Sequence, residues 1–458
     1  MSQSNLGVIK SCYDLLNSPA SKYLFIEANM VQAGELMKIL TLNCGSSSVK
    51  YALWEMPTHK RLASGMIERV GIGNSTIRHK SVESVVLKRD CSNHEAAIGL
   101  ALDLLTDTEY GVVNDVSEID AVGHRVVHGG EKFNHSVRIT EGVIRGVEEC
   151  SALAPLHNPP NLMGIRAAMS QMKSIPHIAI FDTAFLATIP IHAYIYALPF
   201  EWYENHGIRR YGFHGTSHLY VSRRASALLH RKPSELKLIT LHIGNGVSIT
   251  AVKDGVAIDH SMGFTPLEGA VMGTRCGDVD PAIPLYMMEK KGITPEQMNH
   301  ILNKKSGVLG ITGKYVDRRD IIRAASEGDD RCLLAIDIES YRLKKYIGAY
   351  IAAMGGLDAL VFTAGVGENS PLYREKVCKD LESLGIKLDP KKNNVAVKRS
   401  EADIGVEDPR YPVKILVIPT NEELVFVEDV YAILLGTYDL HTNFEYIFQR
   451  EDFAPNPA

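Results

Sequence analysis

Two segments of this chain share one design, and this repetition constrains the fold more than any other feature. Lys38–Glu55 (KILTLNCGSSSVKYALWE) and Leu236–Val252 (LKLITLHIGNGVSITAV) each contain a strand pattern, a turn of glycine and small polar residues, and a second strand pattern. They lie roughly 200 residues apart, and each precedes further strands and helices. The repetition predicts a duplicated α/β unit with a cleft between its two halves, where ligands collect.

From Met37 onward, strand-like and helix-like segments alternate, as in an α/β protein. The predicted strands are 39–42, 49–54, 121–127, 178–181, 238–243, 247–252, 359–363 and 413–418, and the predicted helices are 95–105, 161–172, 217–229 and 331–353. A further helix is expected after Ser370, because Ser370 can act as N-cap, Pro371 suits the first position and Gly385 follows the last apolar residue, Leu384.

Length and composition limit the class of protein. A chain of 458 residues is too long for a single core, and 45% hydrophobic with 22% charged residues is typical of globular proteins. The net charge of -5, without a long basic block, argues against a nucleic-acid partner. Seven scattered cysteines without a CxxC pair favour reduced thiols over disulfides or a zinc site.

The sequence predicts a cytoplasmic protein that does not bind membranes. No stretch is long and apolar enough to span a bilayer, and the N-terminus lacks the uninterrupted apolar segment of a signal peptide. Residues 1–36 show weak periodicity and are expected to be an extension outside the fold. We expect a first domain over 37–183, completed by a C-terminal return at 420–451, and a second domain over 184–419.

The turn of the first segment has the composition of an anion site. It runs from Asn43 through Cys44, Gly45 and three serines, and Lys50 follows on the next strand. Exposed backbone N–H groups, hydroxyls and an ammonium group together suit a phosphate. Taken alone, the stretch could equally be a serine-rich surface turn.

Five further loops carry reactive side chains, and most of them follow a predicted strand. GHRVVHGG holds Arg125, FDTAF holds Asp182, RRYGFHGTSH holds His214 and GAVMGTRCGDVDP holds Arg275. The fifth loop, FTAGVGENS, leads from a strand into the helix after Ser370, and its glycines form only an incomplete dinucleotide fingerprint.

Each of these residues also has a structural explanation when it is considered alone. Asp182 could cap a turn, His214 could be a core histidine, and the two arginines could form surface ion pairs. His214 and His218 have metal-ligand spacing on a helix, but an intervening glycine and the lack of an accompanying glutamate argue against zinc.

The combination of these loops indicates phosphoryl transfer. Two hairpins suited to phosphate, two arginines, a histidine and a strand-end aspartate are what this reaction needs, because positioning and charge neutralisation do most of the catalytic work. No loop supplies a serine nucleophile on an elbow motif, and no cysteine stands beside a histidine, which argues against acyl-enzyme chemistry.

Eight motifs, in this order, resemble those of acetate kinases: LNCGSSSVKY, GHRVVHGG, PLHNPPN, FDTAF, RRYGFHGTSH, MGTRCGDVDP, FTAGVGENS and IPTNEEL. The resemblance extends from Met37 to about Tyr431. It implies the duplicated actin-like ATPase (ribonuclease H-like) fold of sugar kinases, heat-shock chaperones and actin, with the active site in the interdomain cleft. It also implies a homodimer that transfers the ATP γ-phosphoryl group reversibly to acetate by direct in-line attack, with Mg²⁺ or, as a substitute, Mn²⁺.

The resemblance implies roles for individual residues. Asn43 and Glu422 are expected to organise Mg²⁺, with Lys50 near the nucleotide phosphates. Arg125 is expected to hold the acetate carboxylate, Asp182 is the active-site acid, and His214 and Arg275 are expected to stabilise the transition state. The substrate methyl is expected to contact Val127, Leu156, Phe213 and Pro266. Nucleotide contacts are expected from His242, Ile243, Gly244, Asn245, Gly246, Asp317, Arg318, Arg319, Gly365, Val366, Gly367, Glu368 and Asn369.

Physical chemistry is consistent with these roles and refines one of them. Acetate is already ionised near pH 7, since its pKa is only about 4 to 5, so the reaction needs no strong general base. We therefore expect Asp182 to orient water or Mg²⁺ rather than to abstract a proton. Val127 favours acetate, because propionate-preferring relatives tend to have a smaller residue there. The chain departs from the family pattern at Val247 and Arg318, and the latter replaces a usual aromatic or apolar residue near the adenine.

The alternative on the same fold is a nucleotide-switched interaction protein, similar to actin or the chaperone ATPases. Such a protein needs a partner-binding domain or a filament surface, for which we expect no room after Tyr431. Arg125, His214 and Arg275 would also have no purpose in a slow ATPase. The sequence therefore favours a kinase.

Overall fold

Two β-sheets form the framework of the protein, for which a computed structural model describes residues 35–396 and 401–454. The first sheet contains β1 Met37–Gly45, β2 Ser48–Met56, β3 Lys60–Glu68, β4 Thr76–Lys80, β5 Ser84–Lys88, β6 Ala121–Val126, β7 Val137–Arg138 and β8 His177–Phe181. The second contains β9 Lys237–Ile243, β10 Val247–Lys253, β11 Val256–His260, β12 Ala359–Thr363, β13 Ala402–Asp403 and β14 Lys414–Val417. All eight strands predicted from the sequence are among them.

The two sheets repeat one topology. Their strand orders are β5-β4-β3-β2-β1-β6-β8-β7 and β11-β10-β9-β12-β14-β13. In the first, β1 pairs antiparallel with β2 and parallel with β6, and β6 pairs parallel with β8. In the second, β9 pairs antiparallel with β10 and parallel with β12, and β12 pairs parallel with β14. The duplication predicted from the two hairpins is therefore confirmed.

Helices cover and separate the sheets. Their bounds are α1 His94–Leu105, α2 Glu141–Glu149, α3 Asn158–Gln171, α4 Ile191–Tyr194, α5 Phe200–His206, α6 Gly215–Leu228, α7 Ala282–Lys291, α8 Pro295–Lys304, α9 Gly307–Thr312, α10 Arg318–Ser326, α11 Asp330–Met354, α12 Ala364–Asn369, α13 Pro371–Cys378, α14 Pro390–Val395 and α15 Glu422–Leu434. Within the described ranges, none of them is long and apolar enough to cross a membrane.

The layer between the two sheets is a single apolar core built around α6 and α15. Ile39 and Ile180 of the first sheet belong to the same buried cluster as Leu238 and Val361 of the second, together with Val425 of α15. Burying each such side chain contributes about 1.5 to 3 kcal/mol. Both central helices begin beside the carboxyl ends of the parallel strands, so their first residues lie near the predicted site.

The helix after Ser370 is shorter than the sequence indicated. Its start is as predicted, since the Ser370 side chain accepts a hydrogen bond from the Tyr373 N–H and Pro371 is the first residue. The helix ends at Cys378 rather than Leu384, and Gly385 instead follows a short 3₁₀ helix. Asp380 breaks the helix with a φ of 60°. The break allows residues on both sides of it to pack into one core.

Candidate active site

The first half of the site is a pair of side chains at the ends of two parallel strands. Arg125, near the end of β6, donates from Nε to Asp182 Oδ1 at 2.9 Å and from Nη2 to Asp182 Oδ2 at 2.5 Å. Its Nη1 lies 3.4 Å from the Asn43 side-chain oxygen on β1. Because β1, β6 and β8 run parallel, their carboxyl ends bring these three residues to one edge of the sheet. Nη1 is thus the guanidinium nitrogen that contacts Asn43 and not Asp182.

Charge balance defines this half of the site. The Asp182 side chain is 1% exposed and that of Arg125 is 21% exposed, so the pair is largely shielded from solvent. Burial alone would lower the Arg125 pKa, but the Asp182 carboxylate more than offsets this and raises it. Glu422 lies close by at the start of α15, and burial raises its pKa against the charges of Arg125 and Lys50. Lys50 itself is exposed and pairs across the hairpin with Asn43.

Two asparagines of the PLHNPPN motif hold the loops around Arg125. Asn161 donates to the Cys44 carbonyl at 2.8 Å and accepts from the Val127 N–H at 3.0 Å. Asn158 accepts from the His128 N–H at 3.1 Å and donates to the His128 carbonyl at 3.0 Å. Sequence reasoning used this motif for resemblance without assigning the asparagines a role. Two asparagines flanking a proline pair at the start of a helix were the available signal.

His157 is a further site residue that sequence reasoning missed. Burial and the charges of Arg275 and Arg125, opposed by Asp182, together lower the His157 pKa to about 4. These interactions place the His157 ring close to both arginines. Its position beside Asn158, in a motif already matched to the site, was the only signal in the sequence.

The second half of the site is joined directly to the first. The Gly215 N–H donates to the Asp182 carbonyl at 2.9 Å, and a Cβ on Gly215 would lie 2.2 Å from that oxygen. Only glycine permits this close approach. His214, the residue before it, has a φ of 61° and forms the N-cap of α6. The site aspartate on β8 therefore fixes the start of the helix that carries His214.

His214 is half-buried and is one of several neutral histidines. Its Nδ1 lies 2.8 Å from Ser248 Oγ, and its ring stacks on His242 with 4.2 Å between ring centroids. Burial lowers the His214 pKa well below its usual value, and neighbouring histidines and both site arginines lower it further. Burial also lowers the His242 pKa to about 4. Near neutral pH these rings carry no charge and can act only as hydrogen-bond donors or acceptors.

Arg275 lies beside His214. It donates from Nη1 to the Pro266 carbonyl at 2.7 Å and forms no ion pair with any carboxylate in the described part of the chain. A Cβ on Gly246 would lie 3.3 Å from Arg275 Nη2 and 3.3 Å from His214 Nε2, so the turn of the second hairpin touches both groups. Burial lowers the Arg275 pKa. An arginine held by a single carbonyl retains a positive charge available to an anion.

The residues expected around the substrate methyl lie in three different settings. Val127 and Phe213 are both buried and belong to one apolar cluster. Pro266 lies at the contact with Arg275. Leu156, in contrast, is 52% exposed. The structure therefore packs Val127 and Phe213 together, whereas Leu156 lies at the surface.

A cavity of about 700 Å³ collects most of the expected nucleotide residues. Its lining includes eight of them, Gly244, Asn245, Asp317, Arg318, Arg319, Gly365, Val366 and Asn369. It also includes Val316, Ile322 and Ser370, which sequence reasoning did not name. Val316 and Ile322 give the cavity an apolar surface, and they escaped notice because one apolar residue within a loop or helix has no distinctive pattern.

The remaining expected nucleotide residues lie outside the lining of this cavity. Ile243 is fully buried in the core, and Gly246 faces His214 and Arg275. The Glu368 carboxylate accepts from the Thr420 N–H at 3.2 Å, and the carbonyls of Gly367 and Glu368 accept from Arg374. His242 stacks on His214. These five residues surround or support the site.

The unusual Arg318 forms a buried ion pair. Its Nη2 donates to Glu339 Oε1 at 2.8 Å, with 5% of the Arg318 side chain and none of the Glu339 side chain exposed. Arg318 also lines the cavity. The charge that this departure from the family pattern introduces is therefore paired with a carboxylate on α11. The other departure, Val247, is fully buried in the core of the second sheet.

The residues expected at the metal fit Mg²⁺ as partial ligands. Asn43, Asp182 and Glu422 offer only oxygen donors, which Mg²⁺ prefers. No group of three or more His, Cys, Asp or Glu that could hold a metal occurs in the described ranges. Mg²⁺ is usually held by one or two carboxylates, water and substrate phosphates rather than by an all-protein cage.

The duplicated α/β fold, the two arginines that both act on His214 and His157, and the cavity of about 700 Å³ are those of a phosphotransferase with the actin-like ATPase fold. The sequence profile of the Acetokinase family matches residues 38–428. The chain belongs to the acetokinase family.

Individual relatives and solved structures agree with this assignment. The chain is 58% identical to the acetate kinase of Geobacter sulfurreducens over 91% of its own length and 100% of that protein. It is 57% identical to the acetate kinase of Thermotoga petrophila over 87% of its own length and 99% of that protein. The crystal structure of Porphyromonas gingivalis acetate kinase has a TM-score of 0.82 at 49% identity, covering 87% of this chain and 100% of that one. A propionate kinase from Francisella tularensis has a TM-score of 0.80 at 40% identity, covering 86% and 98%.

Proposed function

We propose that this protein is an acetate kinase, which transfers the γ-phosphoryl group of ATP reversibly to acetate and forms acetyl phosphate and ADP. One observation carries the proposal: Arg125 and Arg275 both lie close enough to lower the pKa of His214 and of His157. Val127, two residues after Arg125, belongs to one apolar cluster with Phe213. A small carboxylate with a short apolar tail fits this combination. The family and its named relatives support the same activity.

Arg125 is the proposed carboxylate-binding residue. Asp182 uses the Nε side of the guanidinium, which leaves the Nη1 side for acetate. Two N–H groups on one edge of a guanidinium match the two oxygens of a carboxylate, which a lysine cannot do. This assignment also gives Asp182 a role, because its two oxygens hold the guanidinium in place.

Arg275 and His214 are proposed to stabilise the transferring phosphoryl group. A carboxylate that approaches a polyphosphate meets strong charge repulsion, so cations and N–H donors must surround the reacting centre. Arg275 carries a charge without a carboxylate partner, and His214 adds a neutral ring nitrogen beside it. Each well-placed donor contributes roughly 3 to 4 kcal/mol to the stability of such a transition state.

Asn43 and Glu422 are proposed to hold Mg²⁺ with the nucleotide phosphates, and Asp182 to orient its water. When bound, the ion neutralises phosphate charge, and Mn²⁺ is expected to substitute. Lys50 is exposed at the same edge, where its ammonium would meet the phosphates. ATP is the proposed co-substrate, with its nucleoside in the cavity lined by Gly244, Asp317, Arg319 and Gly365.

A hydroxamate assay with acetate, propionate and butyrate tests this function. Purified protein with ATP and MgCl₂ should form acetyl phosphate, and kcat/KM should fall from acetate to propionate to butyrate. A methylene that does not fit an apolar pocket changes kcat/KM by about 10- to 200-fold. A propionate-to-acetate ratio above one would identify a propionate kinase, and absence of product with all three acids would contradict carboxylate kinase activity.

We also propose that the enzyme is a homodimer. Large apolar side chains are exposed on α4, α5, α7 and α11, namely Ile191, Phe200, Trp202, Ile283, Leu285, Tyr286, Leu333, Leu334 and Tyr341. A second copy of the chain would cover them, since exposed apolar patches of this kind mark interfaces. Sedimentation should give a dimer for the wild type and a monomer for Leu285→Glu. The control Val86→Glu, at an exposed apolar site on β5, should remain dimeric.

The domain division and the location of the protein remain proposals. Contacts of α15 with β1, β2 and β6 support the assignment of 420–451 to the first domain beside 37–183, with 184–419 as the second. Residues 1–34, most of the expected extension, lie outside the described part of the chain. A cytoplasmic location is proposed because ATP is the co-substrate, and the six free cysteines in the described ranges agree with it.

A further inference from the structure

A line of buried hydrogen bonds continues from His214 into the second sheet. Ser248 Oγ lies 2.8 Å from His214 Nδ1 and 2.8 Å from His218 Nε2. His218 Nδ1 lies 2.7 Å from Thr240 Oγ1. His218 comes from the first turn of α6, Ser248 from β10 and Thr240 from β9, and none of the three is exposed to solvent. Residues from three elements therefore meet in one line that ends at His214.

Both histidines in this line are uncharged. Burial lowers the pKa of His214 and of His218 well below the usual value for histidine, and neighbouring rings and arginines lower both further. A neutral imidazole has one N–H donor and one acceptor nitrogen. Each ring can therefore exist in only two forms, and its hydrogen-bond partners decide which one it adopts.

The two hydroxyl hydrogens fix the direction of the line. Within the described part of the chain, the hydroxyls of Ser248 and Thr240 have no partners other than these two histidines. If Ser248 donated to Nε2 of His218, the hydrogen of His218 would be on Nδ1 and would point to Thr240. The hydroxyl hydrogen of Thr240 would then have no acceptor. If both histidines donated to Ser248, the Ser248 hydrogen would have none. A buried donor without an acceptor is costly, so neither arrangement is favoured.

One arrangement satisfies every group. Thr240 donates to Nδ1 of His218, His218 donates from Nε2 to Ser248, and Ser248 donates to Nδ1 of His214. Nδ1 of His214 is then an acceptor, so its hydrogen must be on Nε2. That nitrogen lies beside Gly246 and Arg275 Nη2, on the side facing the site.

We propose that Thr240, His218 and Ser248 are positioning residues that hold His214 as the Nε2–H tautomer. The inference rests on the proposed role of His214 at the transferring phosphoryl group. In this tautomer an uncharged N–H points to where negative charge develops, next to the Arg275 cation. The other tautomer would present a lone pair to the phosphoryl oxygens and would repel them.

The same arrangement explains why two histidines stand four residues apart in RRYGFHGTSH. Both nitrogens of His218 and Nδ1 of His214 are already engaged by hydroxyl groups. The pair is therefore a hydrogen-bonded support for one reactive ring. This reading agrees with the argument against zinc from the sequence, since a metal would need a lone pair that His218 does not have free.

NMR of ¹⁵N-histidine-labelled protein tests the tautomer directly. Long-range ¹H–¹⁵N spectra distinguish a protonated from an unprotonated ring nitrogen, and the signals lost in His214→Gln identify the His214 ring. We expect Nε2–H for His214 in the wild type and a mixed or Nδ1–H population in Ser248→Ala. A wild-type His214 that is Nδ1–H or doubly protonated at pH 7.5 would overturn the proposal.

Kinetics test whether the tautomer matters. Ser248→Ala should lower kcat by about 10- to 100-fold, the usual loss when a residue that orients a functional side chain is removed. KM values for acetate and ATP should stay within about twofold, because the ground-state contacts remain. Thr240→Val, which keeps the shape and removes the hydroxyl, should shift the tautomer and lower kcat less. Unchanged kcat and tautomer in both variants would also refute the proposal.

The matched control is Thr41→Val. Thr41 is a buried strand threonine like Thr240, but its hydroxyl donates to the Ala52 carbonyl in the first sheet. This variant should keep the wild-type tautomer and kcat. If the wild type forms no acyl phosphate, the proposed function fails, while the NMR experiment still decides whether the line of hydrogen bonds sets the His214 tautomer.

Discussion

The two arginines of the site have opposite surroundings. Arg125 makes two hydrogen bonds to the Asp182 carboxylate, and Glu422 and Lys50 add further charges around it. Among the residues that the structure describes, Arg275 donates to one backbone carbonyl, and it lies beside a group of neutral histidines. The first half of the site is thus charge-balanced, and the second retains one positive charge that only a bound anion would compensate.

This difference separates binding from transfer. A guanidinium fixed by a carboxylate has a defined orientation and little net charge, which suits recognition of a small carboxylate by geometry. A guanidinium without a carboxylate partner keeps its full attraction for the charge that grows on the phosphoryl group. We therefore expect substitutions in the second half to affect kcat most and substitutions in the first half to affect the acetate KM as well.

Arg275→Ala should cause the largest loss. The uncompensated charge would disappear, and kcat should fall by about 10² to 10³-fold, as for removal of a transition-state donor. Added guanidine should restore part of the activity, whereas Arg275→Lys should restore little, because a lysine is a point charge without the planar fork. Steady-state kinetics with acetate and ATP provide the measurement.

Arg410→Ala is the reference for this experiment. Arg410 is an exposed arginine paired with Asp408, away from the cleft, and its removal should leave kcat unchanged. A kcat for Arg275→Ala within threefold of this reference, about 0.65 kcal/mol, would remove the distinction between the two arginines.

Asp182→Asn should make Arg125 resemble Arg275, since it leaves the guanidinium without its carboxylate. A hydrogen bond to a charged group contributes about 1.5 to 3 kcal/mol, so kcat/KM for acetate should fall by about 10- to 100-fold even at saturating Mg²⁺. Circular dichroism should confirm that the variant is folded. Full activity at saturating Mg²⁺ would contradict both the orienting role of Asp182 and its hold on Arg125.

Much of this arrangement could be predicted from the sequence, and the reason is local. Asn43, Arg125 and Asp182 each stand at the end of an apolar strand, and parallel pairing brings such ends to one edge. The strands β3, β4 and β5 were not predicted. Their apolar residues are interspersed with charged and small ones, as in KRLASGMIE, and only pairing with β2 and with one another makes them strands.

Other features depend on contacts between distant residues and could not be predicted. Nothing in the sequence links Ser248 to His214 and His218, because the three meet only when β10 packs against α6. The pairing of Arg318 with Glu339 depends in the same way on the packing of α10 against α11. The exposure of Leu156 depends on how the loop before α3 lies at the cleft.

The neutral histidines of the second half make stability depend on pH. The His242 pKa is about 4 when folded and about 6.5 when unfolded. Between pH 6.5 and 4 the unfolded chain therefore binds the proton that the folded protein does not, and the free energy of unfolding falls as pH falls, by up to about 1.4 kcal/mol per pH unit for one proton. Burial raises the pKa of Asp429 to about 7, so over the same pH range the folded protein binds one proton at Asp429 that the unfolded chain does not. This proton increases the free energy of unfolding as pH falls and opposes the contribution of His242.

Urea unfolding of the wild type and of His242→Gln between pH 7.5 and 4.5 measures this contribution. In His242→Gln, the slope of the free energy of unfolding against pH should decrease by up to about 1.4 kcal/mol per pH unit, the value for one proton. His206→Gln, which removes an exposed histidine, provides the reference slope. Equal slopes for the two variants would mean that His242 accepts a proton in the folded protein.

Asn43→Asp should have the smallest effect and tests the charge balance of the first half most finely. The Asn43 oxygen lies 3.4 Å from Arg125 Nη1, the nitrogen proposed to bind acetate. A carboxylate there would compete for that nitrogen and repel the substrate, which should raise the acetate KM by about 3- to 10-fold, or roughly 1 kcal/mol, the size of the interaction between two charges about 4 Å apart in a water-like dielectric. Asn43→Ala, which removes the amide without adding charge, should raise the KM less. An Asn43→Asp enzyme with the wild-type KM for acetate would mean that Arg125 binds the substrate through another edge, and that the neutrality of residue 43 has a different purpose.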